Sequence, residues 1–220
     1  LNQAASFQRV ALILATQYGD SINYMVYYVL ATYLNHWHKP LRENLSYGEQ
    51  SYRLADEQGD VLFAGAIQVE MALIRYVLGD SLEALSRQTK AAKAANTRYG
   101  ISDLLDILYT VDQYIDNLRG GTVSPTSFTG EGYNEDIVSA RMLKTESGIT
   151  VPFYYLMKIR SLYLHGAFEA AWELAATVYP EREAMVGKIS QPEYAYLLCL
   201  TAAAVLPRLT GSQRRQAKRL

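Results

Sequence analysis

Few side chains in this sequence have the types and spacing to do chemistry. The histidines are His36, His38 and His165, and two of them flank Trp37 in the stretch YLNHWHKPLREN, residues 33–44. A zinc site takes about four ligands. Residues two apart on a helix point to different faces, and His165 and the single cysteine, Cys199, lie far away in sequence. The stretch therefore reads as a corner between two helices. Trp37 is expected to pack under the turn, and Pro40 to sit in the first turn of the next helix. Acid–base work needs carboxylates converging in a cleft. Asp103, Asp106, Asp112 and Asp116 share part of one helix face and read as a solvated stripe. Gly130 and Gly132 in FTGEGYNED lack the Lys and Ser/Thr that complete a phosphate loop. No H-R-D, D-F-G or G-x-S-x-G element occurs. The expectation is a chain with no catalytic residues, no metal and no cofactor.

Composition narrows the class further. The chain has 220 residues, half of them hydrophobic, and a formal charge of −1. That is room for one sizeable domain or a short repeat array. A near-neutral balance argues against a nucleic-acid binder, which normally shows a strong basic excess. The last ten residues, GSQRRQAKRL, hold Arg214, Arg215, Lys218 and Arg219 and read as the solvated start of a helix. One cysteine permits no internal disulfide and fits a cytoplasmic location, with Cys199 expected to be a buried helical thiol. No uninterrupted apolar run of about 18 residues occurs, so no membrane span is expected. Leu1–Tyr18 already reads as helix and the chain opens on Leu1, so it is expected to be part of a longer protein. Tyrosine, at 18 residues against five phenylalanines, suits half-buried faces and binding surfaces.

The elements that must position these residues recur at a fixed beat. His38 to Gly59, Gly79 to Gly100 and Gly166 to Gly187 are each 21 residues. His38 to Gly79, Gly79 to Gly120 and Gly166 to Pro207 are each 41. Only Gly120 to Gly166 is longer, where GGTVSPTSFTGEGYNED breaks the helical pattern with turn-forming residues. Glycine closing each helical run is the expected left-handed C-cap. A two-helix period near 40 predicts an α-solenoid. Inner helices are expected near 21–37, 60–78, 101–119, 151–165 and 191–206. Outer helices are expected near 40–58, 81–98, 134–146 and 167–186. The whole is one all-α domain, 1–220, of about nine helices in antiparallel pairs.

LGDSLEALSRQTKAA and HGAFEAAWELAATVY resemble the turn and second helix of a tetratricopeptide repeat, with Ala84 and Ala171 five residues after Gly79 and Gly166. Small Ala72 in the preceding helix fits the same packing. The period of 41 departs from that repeat's usual length of about 34. In order and spacing, NHWHKPLRE, LSYGEQSYRLADEQGD and GAFEAAWELA resemble the helical-repeat region of large bacterial signalling proteins. Those proteins join a serine/threonine kinase-like domain, an AAA/STAND ATPase and a sensor histidine kinase. The resemblance covers about Phe7 to Leu209. It implies a non-catalytic regulatory or scaffolding segment whose partner is a protein or peptide, including neighbouring domains of the same polypeptide. Two alternatives stay open. One is the effector-binding solenoid of an ATPase-type transcription activator; the other is an all-α ligand-binding or enzymatic domain. Counting back from each corner along the inner helices selects a polar, tyrosine-rich lining for a concave binding surface: Tyr28, Thr32, Asn35, Tyr76, Thr110, Tyr114, Asn117, Arg160, Tyr163 and Tyr194. Tyr114, Asn117 and Arg160 are expected to be close together and open to solvent.

Without phosphate loop or kinase elements, the purified chain should hydrolyse no ATP. The check is phosphate release that co-purifies with the chain through several columns and is lost on a point substitution; that result would overturn the reading.

Overall fold

In the computed structural model the regular elements among the described residues (2–18, 23–144, 150–179, 183 and 185–217) are helices, apart from one isolated antiparallel bridge between Gly130 and Tyr133. The order is α1 (Asn2–Tyr18), α2 (Asn23–Val29), a π-helical turn (Leu30–Leu34), a 3₁₀ turn (Asn35–Trp37), α3 (Glu43–Glu57), α4 (Val61–Leu78), α5 (Leu82–Tyr99) and α6 (Ser102–Leu118). After a loop come α7 (Glu135–Lys144), α8 (Thr150–Leu164), α9 (Phe168–Val178), α10 (Ser190–Val205) and α11 (Gly211–Ala217). The fold is all-α, with helices packed mostly on their neighbours in sequence. α9 stops at Val178, short of the expected 186. Arg214 and Arg215 are exposed on α11, while Lys218 and Arg219 lie outside the described residues.

The corner glycines explain the beat. At Gly79 the backbone is left-handed, φ 67°, where nothing lies within 4 Å of the site a Cβ would occupy. Gly79 N–H donates to Tyr76 O and Asp80 N–H to Arg75 O, each at 3.2 Å. This pair of bonds is the Schellman closure, which satisfies two carbonyls that a helix end leaves without partners. The same pair recurs at Gly59, Gly100, Gly120 and Gly166. After Gly59 and Gly79 the next helix starts at once: the Asp60 carboxylate accepts Phe63 N–H at 3.2 Å, and the Ser81 hydroxyl accepts Ala84 N–H at 3.3 Å. Asp80 is held by Arg42 at 2.7 Å and Arg75 at 2.9 Å. Burial alone would raise its pKa; the two guanidiniums outweigh that and keep it below the ordinary carboxylate value.

The chain forms two compact units. The first comprises Leu1–Leu108 with Gly187–Ile189, the second Tyr109–Val186 with Ser190–Leu220. In the first, α2 packs on α3, α3 on α4 and α4 on α5. α4 is long and apolar enough, by length and composition, to cross a membrane, with a mean hydropathy of 1.7. Here 61% of it is buried, and Ala64, Ile67, Met71, Ala72 and Ile74 form the core of the unit. Approach of α5 to α4 is close at Gly65, where a Cβ would sit 2.5 Å from Asn96 Oδ1. The buried Asn96 amide donates to the Gly65 carbonyl at 3.2 Å.

In the second unit α8 packs on α9, α9 on α10, and α8 on both α7 and α10. The irregular segment between Gly120 and α7 is built around two buried side chains. Asn117 Nδ2 faces Thr122 Oγ1 at 2.9 Å and the carbonyls of Pro125 and Ser127 at 3.2 and 3.1 Å. Glu135 accepts Phe128 N–H at 2.8 Å and the Tyr154 hydroxyl at 2.7 Å, and pairs with Lys158 at 2.5 Å. Burial alone would raise the Glu135 pKa; Lys158, the Phe128 amide and Tyr154 more than offset it and hold the carboxyl below its usual range.

Gly79→Val should lower stability by roughly 1 kcal/mol or more, because the cost is a left-handed backbone and not a clash. Gly79→Asn should cost less, since Asn tolerates that conformation. Thermal or urea unfolding of the pair checks both, and an unchanged midpoint for Gly79→Val would contradict the corner's role.

Candidate functional site

The corner at 30–40 is unlike the glycine corners. His38 lies at φ −147°, outside the left-handed region, so its place in the 41-residue beat does not make it an equivalent closure. The chain widens instead. Asn35 N–H bonds to Leu30 O, five residues back. The reason is a side chain from α3: Asn44 Nδ2 donates to Ala31 O at 2.6 Å. In an α-helix that carbonyl would receive Asn35 N–H. With Asn44 on the Ala31 carbonyl, the ladder slips by one and a π turn forms.

Asn44 belongs to a directed chain of amides. His38 Nε2 lies 2.6 Å from Gln8 Oε1, Gln8 Nε2 donates to Asn35 Oδ1 at 3.2 Å, and Asn35 Nδ2 donates to Asn44 Oδ1 at 2.8 Å. Asn44 Nδ2 also lies 3.2 Å from His36 Nδ1. The partners fix both tautomers: facing the Gln8 carbonyl oxygen, His38 carries a proton on Nε2, and facing the Asn44 amide, His36 offers the Nδ1 lone pair. Burial lowers the pKa of His36, the Gly187 backbone opposes this, and His38 adds to it. Gln8, Asn35 and Asn44 are all buried. The corner is backed by Lys188, buried and ion-paired with Glu70, its ammonium 5.6 Å above the Tyr33 ring. Burial works to lower the Lys188 pKa, but Glu70 and Tyr33 hold it above the usual lysine value.

Outside this network lies an open cleft of about 510 Å³. Leu12, Ile13 and Tyr47 make its apolar wall, with Tyr47 stacked on Tyr27 at 6.3 Å between centroids. Gln8 and His38 form its polar base, and the exposed Arg9 and Lys39 flank it. No carboxylate lines it among the described residues. The size falls within the roughly 300–1,000 Å³ of small-molecule sites. No group of three or more His, Cys, Asp or Glu able to hold a metal occurs among the described residues.

Comparisons with protein-family models, with curated proteins and with solved structures gave no match.

Most residues expected to line an open groove are interior. Tyr114 is 4% exposed and Asn117 1%, which overturns their expected accessibility. Thr32, Asn35, Tyr76, Thr110 and Tyr194 are buried as well. Helix packing takes up the polar tips of several of them. Asn117 Oδ1 accepts from Ser161 Oγ at 2.5 Å and lies 3.0 Å from His165 Nε2, and the Tyr194 hydroxyl donates to Ala175 O at 2.5 Å. Arg160 is ion-paired with Glu193 at 3.2 Å, close enough to Tyr114 to act on its titration. The three residues do gather on adjoining faces of α6 and α8, but inside the unit. Tyr28 and Tyr163 are half-buried, set edge-on to Phe63 at 5.3 Å and tilted against Phe168 at 5.2 Å. Of the expected set only Asn35 touches the cleft's framework, through Gln8.

Two apolar side chains reverse the other way. Trp37, expected beneath the turn, is 42% exposed and donates to Gly187 O at 3.3 Å. Cys199, expected to be buried, is exposed. Pro40 precedes α3 and is not in its first turn; its carbonyl accepts Glu43 N–H at 3.0 Å.

Asn44→Ala should remove about 1–3 kcal/mol, because Ala31 O and Asn35 Nδ2 lose buried partners together. In the wild-type chain, long-range proton–nitrogen NMR should show both His36 and His38 protonated at Nε2. An Nδ1–H tautomer at either would break the proposed direction of the amide chain.

Proposed function

We propose that the chain is a non-catalytic, tetratricopeptide-like α-solenoid module that binds a protein or peptide within a multidomain bacterial signalling protein. The observation that carries this reading is the corner repeated five times, each closing one helix with the same two backbone bonds and, except after Gly120, followed by the next helix within a few residues. Helices adjacent in sequence pack mostly on one another, as stacked helical repeats require. The buried ionisable groups also favour binding over catalysis. Glu70 with Lys188, Glu135 with Lys158 and Glu193 with Arg160 are each spent on an internal partner. Regulation in such a module comes from binding energy that differs between states of the host, with no bond made or broken. The partner-facing surface includes the exposed cationic flank of the cleft, since the tyrosine-lined inner faces are occupied by packing.

The test is the coding frame on either side of these 220 residues together with a binding measurement. An ATPase domain before the segment and a histidine-kinase module after it are expected. Calorimetry should then detect association of the chain with one of those domains, weakened by Arg9→Glu with Lys39→Glu. A helix-turn-helix module in place of the kinase would shift the reading to a transcription activator. A frame without flanking domains would end the multidomain reading.

A further inference from the structure

We infer that the cleft beside His38 is a binding site for an apolar-bodied carboxylate, a small acid with an acyl or aryl body. This goes beyond the partner-binding reading and does not depend on it.

In the same unit Arg42, Arg53, Arg75 and Arg98 are each paired with a carboxylate. Arg9 and Lys39 are not ion-paired among the described residues, nor are Arg87 and Lys90 on α5, but of these four Arg9 and Lys39 alone flank the cavity. They come from segments about thirty residues apart, α1 and the corner, and the amide chain holds those segments together by bonding Gln8 to both Asn35 and His38. The result is two cations over an apolar wall, with no acid in the lining. An anion there gains from both charges, and an apolar body gains by covering Leu12, Ile13 and Tyr47. A cation would be repelled by both charges, and a neutral alcohol of the same body would keep only the second gain. The carboxylate is favoured over larger anions because a guanidinium can grip it through two parallel hydrogen bonds.

The network also gives the base of the cleft a fixed polarity. Gln8 spends its carbonyl on His38 and its amide on Asn35, so it does not compete for the incoming anion's counter-charges. The acid is left to Arg9 and Lys39 alone. Specificity is therefore for charge and apolar length more than for hydrogen-bonding detail.

The experiment is calorimetric titration of the intact chain with decanoate and with 4-biphenylacetate, below their aggregation thresholds. Decanol and decyltrimethylammonium serve as charge controls. Saturable binding of at least one of the two acids is expected, at least tenfold tighter than either control, and weakening as salt rises. The charge-reversed pair Arg9→Glu with Lys39→Glu should lose at least tenfold in affinity. Both side chains are exposed, so the helical circular-dichroism signal and melting midpoint should be retained. Ile13→Trp, which fills the cleft from its apolar side, should also weaken binding while leaving the cations in place. Absence of saturable binding for both acids, equal binding of acid and quaternary ammonium, or full affinity in the charge-reversed pair would each overturn the assignment. None of these outcomes bears on the flanking coding frame, so this site and the multidomain reading stand or fall separately.

Discussion

A side-chain amide donating to a backbone carbonyl of the neighbouring helix is the interaction on which the first unit depends. Asn96 reaches the Gly65 carbonyl and Asn44 the Ala31 carbonyl. Each bond requires two backbones to come close, and each is buried, so its absence would leave polar groups without water or partner. Apolar contact alone would let the helices slide along one another. The amide bond admits one register. At Gly65 it dictates the residue on the other side, since a Cβ would meet Asn96 at 2.5 Å. At Ala31 it competes with the helix's own ladder and wins, which turns a straight helix end into a widened corner.

That competition explains what local sequence shows and what it hides. The glycine corners were legible because left-handed backbone is nearly a glycine property, and the helical runs between them confirm the same boundaries. The corner at His38 fell on the same beat for another reason. Its geometry is set by Asn44, on the following helix, and nothing in NHWHKP announces a π turn. The inner and outer faces were less legible still. Counting back from a corner finds a stripe but not the side on which water lies, because a helix between two neighbours has contacts on both. Tyr194 and Asn117 look like wet tips in sequence, yet Ala175 O, Ser161 and His165 take their polar atoms. From Tyr194 on, α10 is apolar on nearly every face, so periodicity could not tell that Cys199 faces solvent.

The cleft was invisible to sequence for a related reason. Arg9 and Lys39 are ordinary surface residues one at a time, each in a stretch with no motif. They become a site only because Gln8, one residue from Arg9, is bonded to His38, one residue from Lys39. A polar network that reads as structural therefore does the positioning. The cations stand outside the network and share none of its bonds, so their charge is not discharged into the fold.

Separating framework from recognition in this way has an energetic logic. The buried acids of the molecule are matched to cations, as with Glu70 and Lys188 or Glu135 and Lys158, because an unmatched buried charge is far more costly than a matched one. An exposed cation carries no such penalty: water solvates Arg9 and Lys39 until something better arrives. The side chains able to give up that water for a ligand's charge are then the ones the fold has not already paired. With the buried acids already paired, the cations left for a ligand's charge stand at the periphery, where α1, the His38 corner and α3 meet.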